Sequence, residues 1–334
     1  MESTTTDSSQ ASPAATAAAR VTIVICVYNA GEFLRASVES ALGQTWPNLE
    51  VVLIDDGSTD GCMESIEDID DERLRVFHQP NMGKPAALNH ALRVLTGDFY
   101  AVHDADDLSY PMRVEHQMRC FLDNPELAAV YTGYDLLVDD QPMARRFAAK
   151  TPEQCRRDIE AYRMPAHDPT GMYRLSLVGD LTYREDLRVV EGLDYVLRVG
   201  ERHPVMVCGE TLYSYRANPE SVTRRDPTFR IEQVKKVMRL ACERREVPIE
   251  NGPEILQRPV DASFGPRDED NDIAVHFIES VVDLRRAGAR REAMAEGLYC
   301  AKLHPFRLHY LKALIYSLVP LVCLRYLRRR ADTA

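Results

Sequence analysis

Aspartates gather where short apolar runs of this sequence stop. Asp55 and Asp56 close the run 50–54, Asp104, Asp106 and Asp107 follow the run 99–103, and Tyr28-Asn29 ends a third. Five carboxylates on one rim repel one another and hold protons more tightly unless a cation or a ligand's donors compensate them. Mg²⁺ or Mn²⁺ meets that need, since either takes oxygen ligands, commonly one or two carboxylates with phosphates and waters. Asp104-Ala105-Asp106 presents such a pair. One aspartate after one strand is more often a helix cap or a turn residue. Clusters at several strand ends reverse that preference and point to a shared site.

For these clusters to meet, the runs must be neighbouring parallel strands. Residues 21–28 (VTIVICVY) are almost wholly apolar and β-rich, and too few for an ordinary helix, as expected of a strand covered on both faces. Leu34, Val38, Ala41 and Leu42 then recur at helical spacing until Gly43 and Pro47. Strand 50–54, a short helix near 61–69, strand 74–78, a helix with Ala87, Leu88, Ala91, Leu92 and Leu95 on one face, and strand 99–103 follow. Beyond Asp104 a helix with Ser109 as N-cap turns Val114, Met118, Phe121 and Leu122 inward. The alternation predicts right-handed βαβ units, hence an α/β, Rossmann-like domain whose mostly parallel sheet is flanked by helices. In such sheets ligands bind beyond the carboxyl ends of the strands, where the aspartates fall.

After 129–134 the pattern loosens through the polar stretch 139–157 and a loop-rich segment 164–188, then resumes as a helix at 194–199 and a strand at 205–215. This organisation predicts a main domain over 20–225, a helical extension over 226–250, a Pro-, Gly- and Asp-rich linker over 251–271, and a helical C-terminal region over 272–334. Residues 1–19 are Ser, Thr and Ala without the basic start and apolar centre of a secretory signal, and read as a disordered leader.

A net charge of −11 excludes general nucleic-acid binding, which needs a basic field. The eight cysteines form no C-x-x-C pair and no cluster with histidine, so neither disulfides nor zinc is indicated, and a reducing cytoplasm suits them. The stretch 301–330 opposes the acidic body: Lys302, Arg307, Lys312, Arg325, Arg328, Arg329 and Arg330 stand there with no acidic residue. Its apolar run 313–324 contains Pro320 and reaches roughly 18 Å as helix, short of the about 30 Å of a bilayer core. Two readings stay open for this tail: a helix lying in the inner face of the plasma membrane, drawn by anionic lipid, or a helix packed on the domain.

The ordered set of motifs resembles one family. Residues 21–60 (VTIVICVYNAGEFLRASVESALGQTWPNLEVVLIDDGSTD), then Asn81-Met82-Gly83-Lys84-Pro85-Ala86-Ala87-Leu88-Asn89, Asp104-Ala105-Asp106-Asp107 and Pro111-Met112-Arg113, are similar to the opening of family 2 glycosyltransferases of the GT-A fold. The resemblance covers about residues 20–225. It implies a nucleotide-diphosphate sugar, UDP-linked by family habit, as donor, with Tyr28 against the base and Asp56 accepting from base or ribose. Asp104 and Asp106 become the D-x-D that meets ribose and a Mn²⁺ or Mg²⁺ on the diphosphate, with Asp107 beside them and Lys84 reaching the donor. It further implies a saccharide or lipid-linked acceptor in surface-polysaccharide assembly.

Inverting transfer needs a base for the acceptor hydroxyl, drawn in this family from an acidic pair at a helix start. Val190-Glu191-Gly192-Leu193-Asp194 departs from that pattern, with Gly192 where the usual Asp would stand. Asp194 and Glu191 remain as candidates, Asp194 preferred through a register shift. His167 and Asp168 precede a loop that faces the acceptor in relatives, and Arg216 and Ser221 resemble the segment closing over the donor. Two alternatives remain: a nucleotide-sugar-binding protein with impaired catalysis, which Gly192 favours, and a nucleotidyltransferase, against which stands the lack of a basic Gly-rich loop after the first strand.

Overall fold

The computed structural model describes residues 19–138, 140–216, 226–257 and 269–319. The leader up to residue 18, Ser221, the middle of the expected linker and the tail beyond residue 319 lie outside the described residues.

The first half alternates strand and helix: β1 (Val21–Val27), α1 (Phe33–Leu42), β2 (Leu49–Asp55), β3 (Leu74–His78), α2 (Lys84–Val94) and β4 (Phe99–Asp104). Next come β5 (Leu108–Ser109), α3 (Arg113–Asp123), β6 (Ala129–Val138), β7 (Gln141–Met143), α4 (Pro152–Glu160), β8 (Met172–Arg174) and the single turn α5 (Leu175–Val178). α6 (Glu191–Arg202), β9 (Val205–Arg216), α7 (Pro227–Arg244), α8 (Glu269–Arg286), α9 (Arg290–Leu303) and α10 (Leu308–Leu318) complete the described elements. The strands form one sheet in the order β3-β2-β1-β4-β8-β6-β9-β5, with β7 on β6. β1, β2, β3 and β4 run parallel, as do β6 and β9, while β8, β5 and β7 run antiparallel to their neighbours.

Register decides where the acidic residues go. Val27 stands opposite Asp55 and Cys26 opposite Asp104, so β1, β2 and β4 end level and deliver Tyr28, Asp56 and Asp104–Asp107 to one rim. The antiparallel insertion of β8 adds to this rim from the other direction. Met172 pairs with Ala101 and Val102 N–H donates to Gly171 O, so the turn at Asp168–Thr170, just before β8, emerges beside the end of β4.

Side chains alternate between two apolar layers, as the strand period requires. Val24, Val52, Tyr100 and Val102 face α2, α6 and α7, whereas Ile23, Ile25, Val51 and Leu53 face α1 and α3. A third layer joins Tyr134, Leu136 and Tyr213 to α8, α9 and α10. The last helix therefore packs on the domain through Tyr310, Ala313 and Tyr316, while Leu308, Ile315 and Leu318 stay exposed. Among the described residues no helix is long and apolar enough to cross a membrane.

Ser109 does not cap α3. It lies in β5 opposite Tyr213, and its hydroxyl meets His103 Nδ1 at 2.9 Å and accepts from Arg113 at 3.0 Å. The buried Arg113 guanidinium also donates to Val102 O and Pro169 O, so the sequence-expected cap is instead part of a polar seam under the rim.

Candidate active site

Lys84 is the centre of the rim. Gly83, at φ 92°, turns the chain into α2 and aims the side chain of the first helical residue across the strand ends. Lys84 Nζ donates to Asp104 Oδ1 at 2.5 Å and lies 3.7 Å from Glu191 Oε1. Burial works against both charges, but each outweighs it for the other. The Lys84 ammonium holds the Asp104 carboxyl below its usual range, and the Asp104 and Glu191 charges push Lys84 well above its own. Burial raises the Glu191 carboxyl, with Lys84 opposing the rise.

The other aspartates divide by their partners. Asp55 meets His78 Nδ1 at 3.0 Å and accepts from Ser58 N. Asp56 is buried and takes Gln79 Nε2, Met82 N and Gly83 N at 2.8, 2.9 and 2.8 Å, so in this structure it anchors the loop that carries Lys84. Asp107 is fully buried and accepts from Tyr213 Oη and Arg216 N, both at 2.8 Å. Asp106 alone of the five has a carboxylate that accepts no hydrogen bond from another described residue, Arg216 bonding only its backbone O, and burial followed by the charge of Asp104 raises that carboxyl. The expected mutual repulsion is thus met for Asp55, Asp56 and Asp104 by the protein's own donors, which a sequence does not display. Burial and the charges of Asp106 and Asp104 instead hold the Asp107 carboxyl well above its usual range despite its two donors.

Among the described residues no three His, Cys, Asp or Glu side chains converge as a metal cage. Asp106, with the second oxygen of Asp104, nonetheless fits a cation that takes most of its ligands from phosphates and water. The two carboxylates repel each other; Lys84 bonds the Asp104 side, and its charge and that of Arg216 offset the repulsion at Asp106 only in part.

Tyr28 is half-exposed at the end of β1. Arg216 bonds Asp106 O at 2.8 Å and Asp140 at 2.6 Å, its guanidinium 4.1 Å from the Phe33 ring centre. His167 packs between the Tyr134 and Tyr215 rings, and burial pushes its imidazole down to about 3. Asp168 is buried beside Lys84 and Glu191, and burial drives its carboxyl up to about 6.

Asp194, the preferred base candidate, points away from the rim. Its side chain is fully buried, accepts from Arg198 Nε at 2.7 Å, and lies 3.4 Å from Arg244 Nη1 of α7. Both guanidiniums lie in the seam between α6 and α7, so the carboxylate is engaged there and not at the rim beside Lys84. The reason is helical geometry: residue 198 follows 194 by one turn on the same face, and that face packs on α7. Sequence reading also passed over Tyr213, whose hydroxyl ties Asp107 to Asp104 N. Only its place two residues from the end of an apolar strand hinted at it.

The model of the Glycosyl transferase family 2 matches residues 22–176. The putative glycosyltransferase EpsE of Bacillus subtilis is 32% identical over 240 residues, 69% of this chain and 84% of that protein.

The chain belongs to glycosyl transferase family 2.

It spans between 17% and 37% of the length of several uncharacterized Rickettsia glycosyltransferases that it also matches. Two solved structures share the fold. Staphylococcus aureus TarS 1–349 in complex with UDP-GlcNAc superposes with a TM-score of 0.55 at 18% identity, covering 88% of this chain and 89% of that one. The mannosyltransferase PcManGT from Pyrobaculum calidifontis, in complex with GDP-Man and Mn²⁺, gives 0.54 at 19% identity, covering 90% and 86%. The GT-A architecture expected from the motifs is therefore the architecture of this family 2 chain: a mixed, mostly parallel sheet flanked by helices, with α8–α10 as its helical C-terminal part.

Proposed function

We propose that this chain transfers a sugar, with inversion, from a nucleotide-diphosphate sugar to a saccharide or lipid-linked acceptor, in a cation-dependent reaction. One observation carries the reading: the Lys84–Asp104 pair, with the Asp106 carboxylate beside it accepting no hydrogen bond from the described residues, lies where the parallel strands β1, β2 and β4 end. A bound Mn²⁺ or Mg²⁺ would supply Lewis-acid stabilisation of the departing diphosphate, with Asp106 and Asp104 as its protein ligands. Lys84 adds a fixed positive charge where negative charge grows, and the loop held by Asp56 keeps it there. Half-exposed Tyr28 offers a ring for the nucleotide base. The relatives' ligands, UDP-GlcNAc and GDP-Man, support a nucleotide-sugar donor here and name the first two probes. In this reading the chain works at the inner face of the plasma membrane. The exposed Phe306, Leu308, Ile315 and Leu318 lie near Lys302, Arg307 and Lys312, a composition suited to an anionic lipid surface.

A thermal-shift titration with UDP-GlcNAc and GDP-mannose, each with and without Mn²⁺, tests this reading, because a ligand that binds only the folded chain raises Tm. The expected result is a shift that needs Mn²⁺ and is lost in Asp106→Ala. A metal-dependent shift that survives Asp106→Ala would remove this residue from the site. Gly192 favours a second reading, a donor-binding chain without turnover. Binding with no nucleotide release would select it.

A further inference from the structure

The start of α6 and the turn before β8 fit together in a way that the donor site does not explain. A Cβ placed on Gly192 would lie 2.3 Å from Asp168 Oδ2, 2.6 Å from its Cγ and 2.8 Å from its Cβ. The Asp168 carboxylate therefore occupies the space that any side chain at position 192 would fill. Glycine in the first turn of a helix weakens it, and here its absent side chain is what seats Asp168. Val190 stands in the left-handed region at φ 60°, a conformation that a β-branched residue adopts only under constraint, and it brings the helix start abruptly against this turn.

Asp168 is held firmly but not neutralised. Tyr173 Oη donates to Oδ1 at 2.9 Å, and among the described residues no group donates to Oδ2. Lys84, Glu191 and Asp104 are its charged neighbours, Lys84 favouring the ionised form and the two carboxylates the protonated one. Burial prevails and lifts the carboxyl to about 6. The acids of α6 are engaged elsewhere: Asp194 with Arg198 and Arg244, Glu201 with Arg244 and Arg245, and Glu191 with Lys84 on the donor side.

We propose that Asp168 is the general base of this chain, its carboxylate standing in the place of a side chain on residue 192. Oδ2 accepts the proton of the acceptor hydroxyl. The freed oxygen forms its bond to the anomeric carbon of the donor, and the bond from that carbon to the diphosphate breaks, with the electron pair leaving on the nucleoside diphosphate. Tyr173 is the positioning residue that fixes the carboxylate's rotamer through Oδ1.

The assignment rests on the transferase reading above, and the test separates the two. UDP-GlcNAc and GDP-mannose with Mn²⁺ serve as donors and water as acceptor, with nucleotide release and the donor-induced Tm shift both measured. Asp168→Asn, nearly isosteric, is expected to keep the shift and to lose about 100-fold to 10,000-fold in release, the range for a removed general base. Asp168→Ala should lose as much, and adding Gly192→Asp to it should regain at least about tenfold by returning a carboxylate to the vacated space. A purely structural role for Asp168 predicts no such rescue. Release at the wild-type rate in Asp168→Asn, or a folded double variant no faster than Asp168→Ala, overturns the assignment and leaves the transferase reading intact. A wild-type chain that neither shifts nor releases nucleotide with either donor overturns the transferase reading, and the base assignment with it.

Discussion

Glu191 and Asp194 sit almost one turn apart on α6, yet they belong to different regions of the molecule. Glu191 faces the rim, where Lys84 is shared among Asp104, Glu191 and Asp168, and where carboxyls are left with raised proton affinity. Asp194 faces the seam with α7, where two arginines serve one carboxylate and Glu201 takes up the spare donors of Arg244 and Arg245. Burial is common to both regions. What differs is the ratio of positive to negative charge: a deficit of cations leaves a group able to exchange protons, and a matched set leaves a structural brace.

The sharpest way to break this comparison is to unbrace the seam. Asp194→Ala leaves the largely buried Arg198 with Thr182 O in place of a carboxylate, while Arg244 keeps Glu201. Losing one partner of a buried pair typically costs about 3–5 kcal/mol, so a loss toward the lower end is expected. Chemical denaturation should show a loss of this size, with the donor-induced shift retained at temperatures where the variant is folded. A stable variant that no longer binds donor would move Asp194 to the functional side.

At the rim the opposite outcome is expected. An ordinary aspartate titrates near 3.8, and burial puts Asp168 at about 6. Below about pH 4 the folded and unfolded chains both carry this proton. Between there and about pH 6 the unfolded chain releases it first, so stability falls through that window and stays lower above it. Asp168→Asn removes the loss. It should match the wild type near pH 4 and exceed it at pH 7 to 8 by up to about 3 kcal/mol, read from Tm against pH. Equal curves across the whole range would mean that Asp168 carries no burial cost and belongs with the braced carboxylates.

This contrast also marks what the sequence made legible. The strand–helix alternation and the meeting of Asp56, Asp104 and Lys84 were readable, because hydrophobic period and position after a strand are local properties. The short antiparallel β8 was not, since three residues in a loop-rich segment carry no period, and it is β8 that brings Asp168 to the rim. The ion pairs of Asp194 were hidden for a related reason. Its partner Arg244 lies fifty residues on, and nothing in the spacing of α6 announces it. Gly192 was visible as an anomaly, but its meaning depends on which side chain fills the space above it.

Asp107 tests the boundary between the two classes, because burial and the charges of Asp106 and Asp104 hold its carboxyl well above the usual range, as at the rim, while two donors of the protein fix it in place. Tyr213 Oη donates to its Oδ2 at 2.8 Å and accepts from Asp104 N at 3.0 Å, so one hydroxyl joins the end of β4 to β9. Tyr213→Phe leaves Asp104 N without that acceptor and Asp107 with Arg216 N as its remaining donor. An unsatisfied buried group costs about 1–3 kcal/mol, and a loss in that range is expected in denaturant titrations. If Asp107 is structural, the Mn²⁺-dependent donor shift keeps its midpoint concentration. A weakened midpoint at unchanged stability would place Asp107 with Asp106 among the groups that meet the ligand.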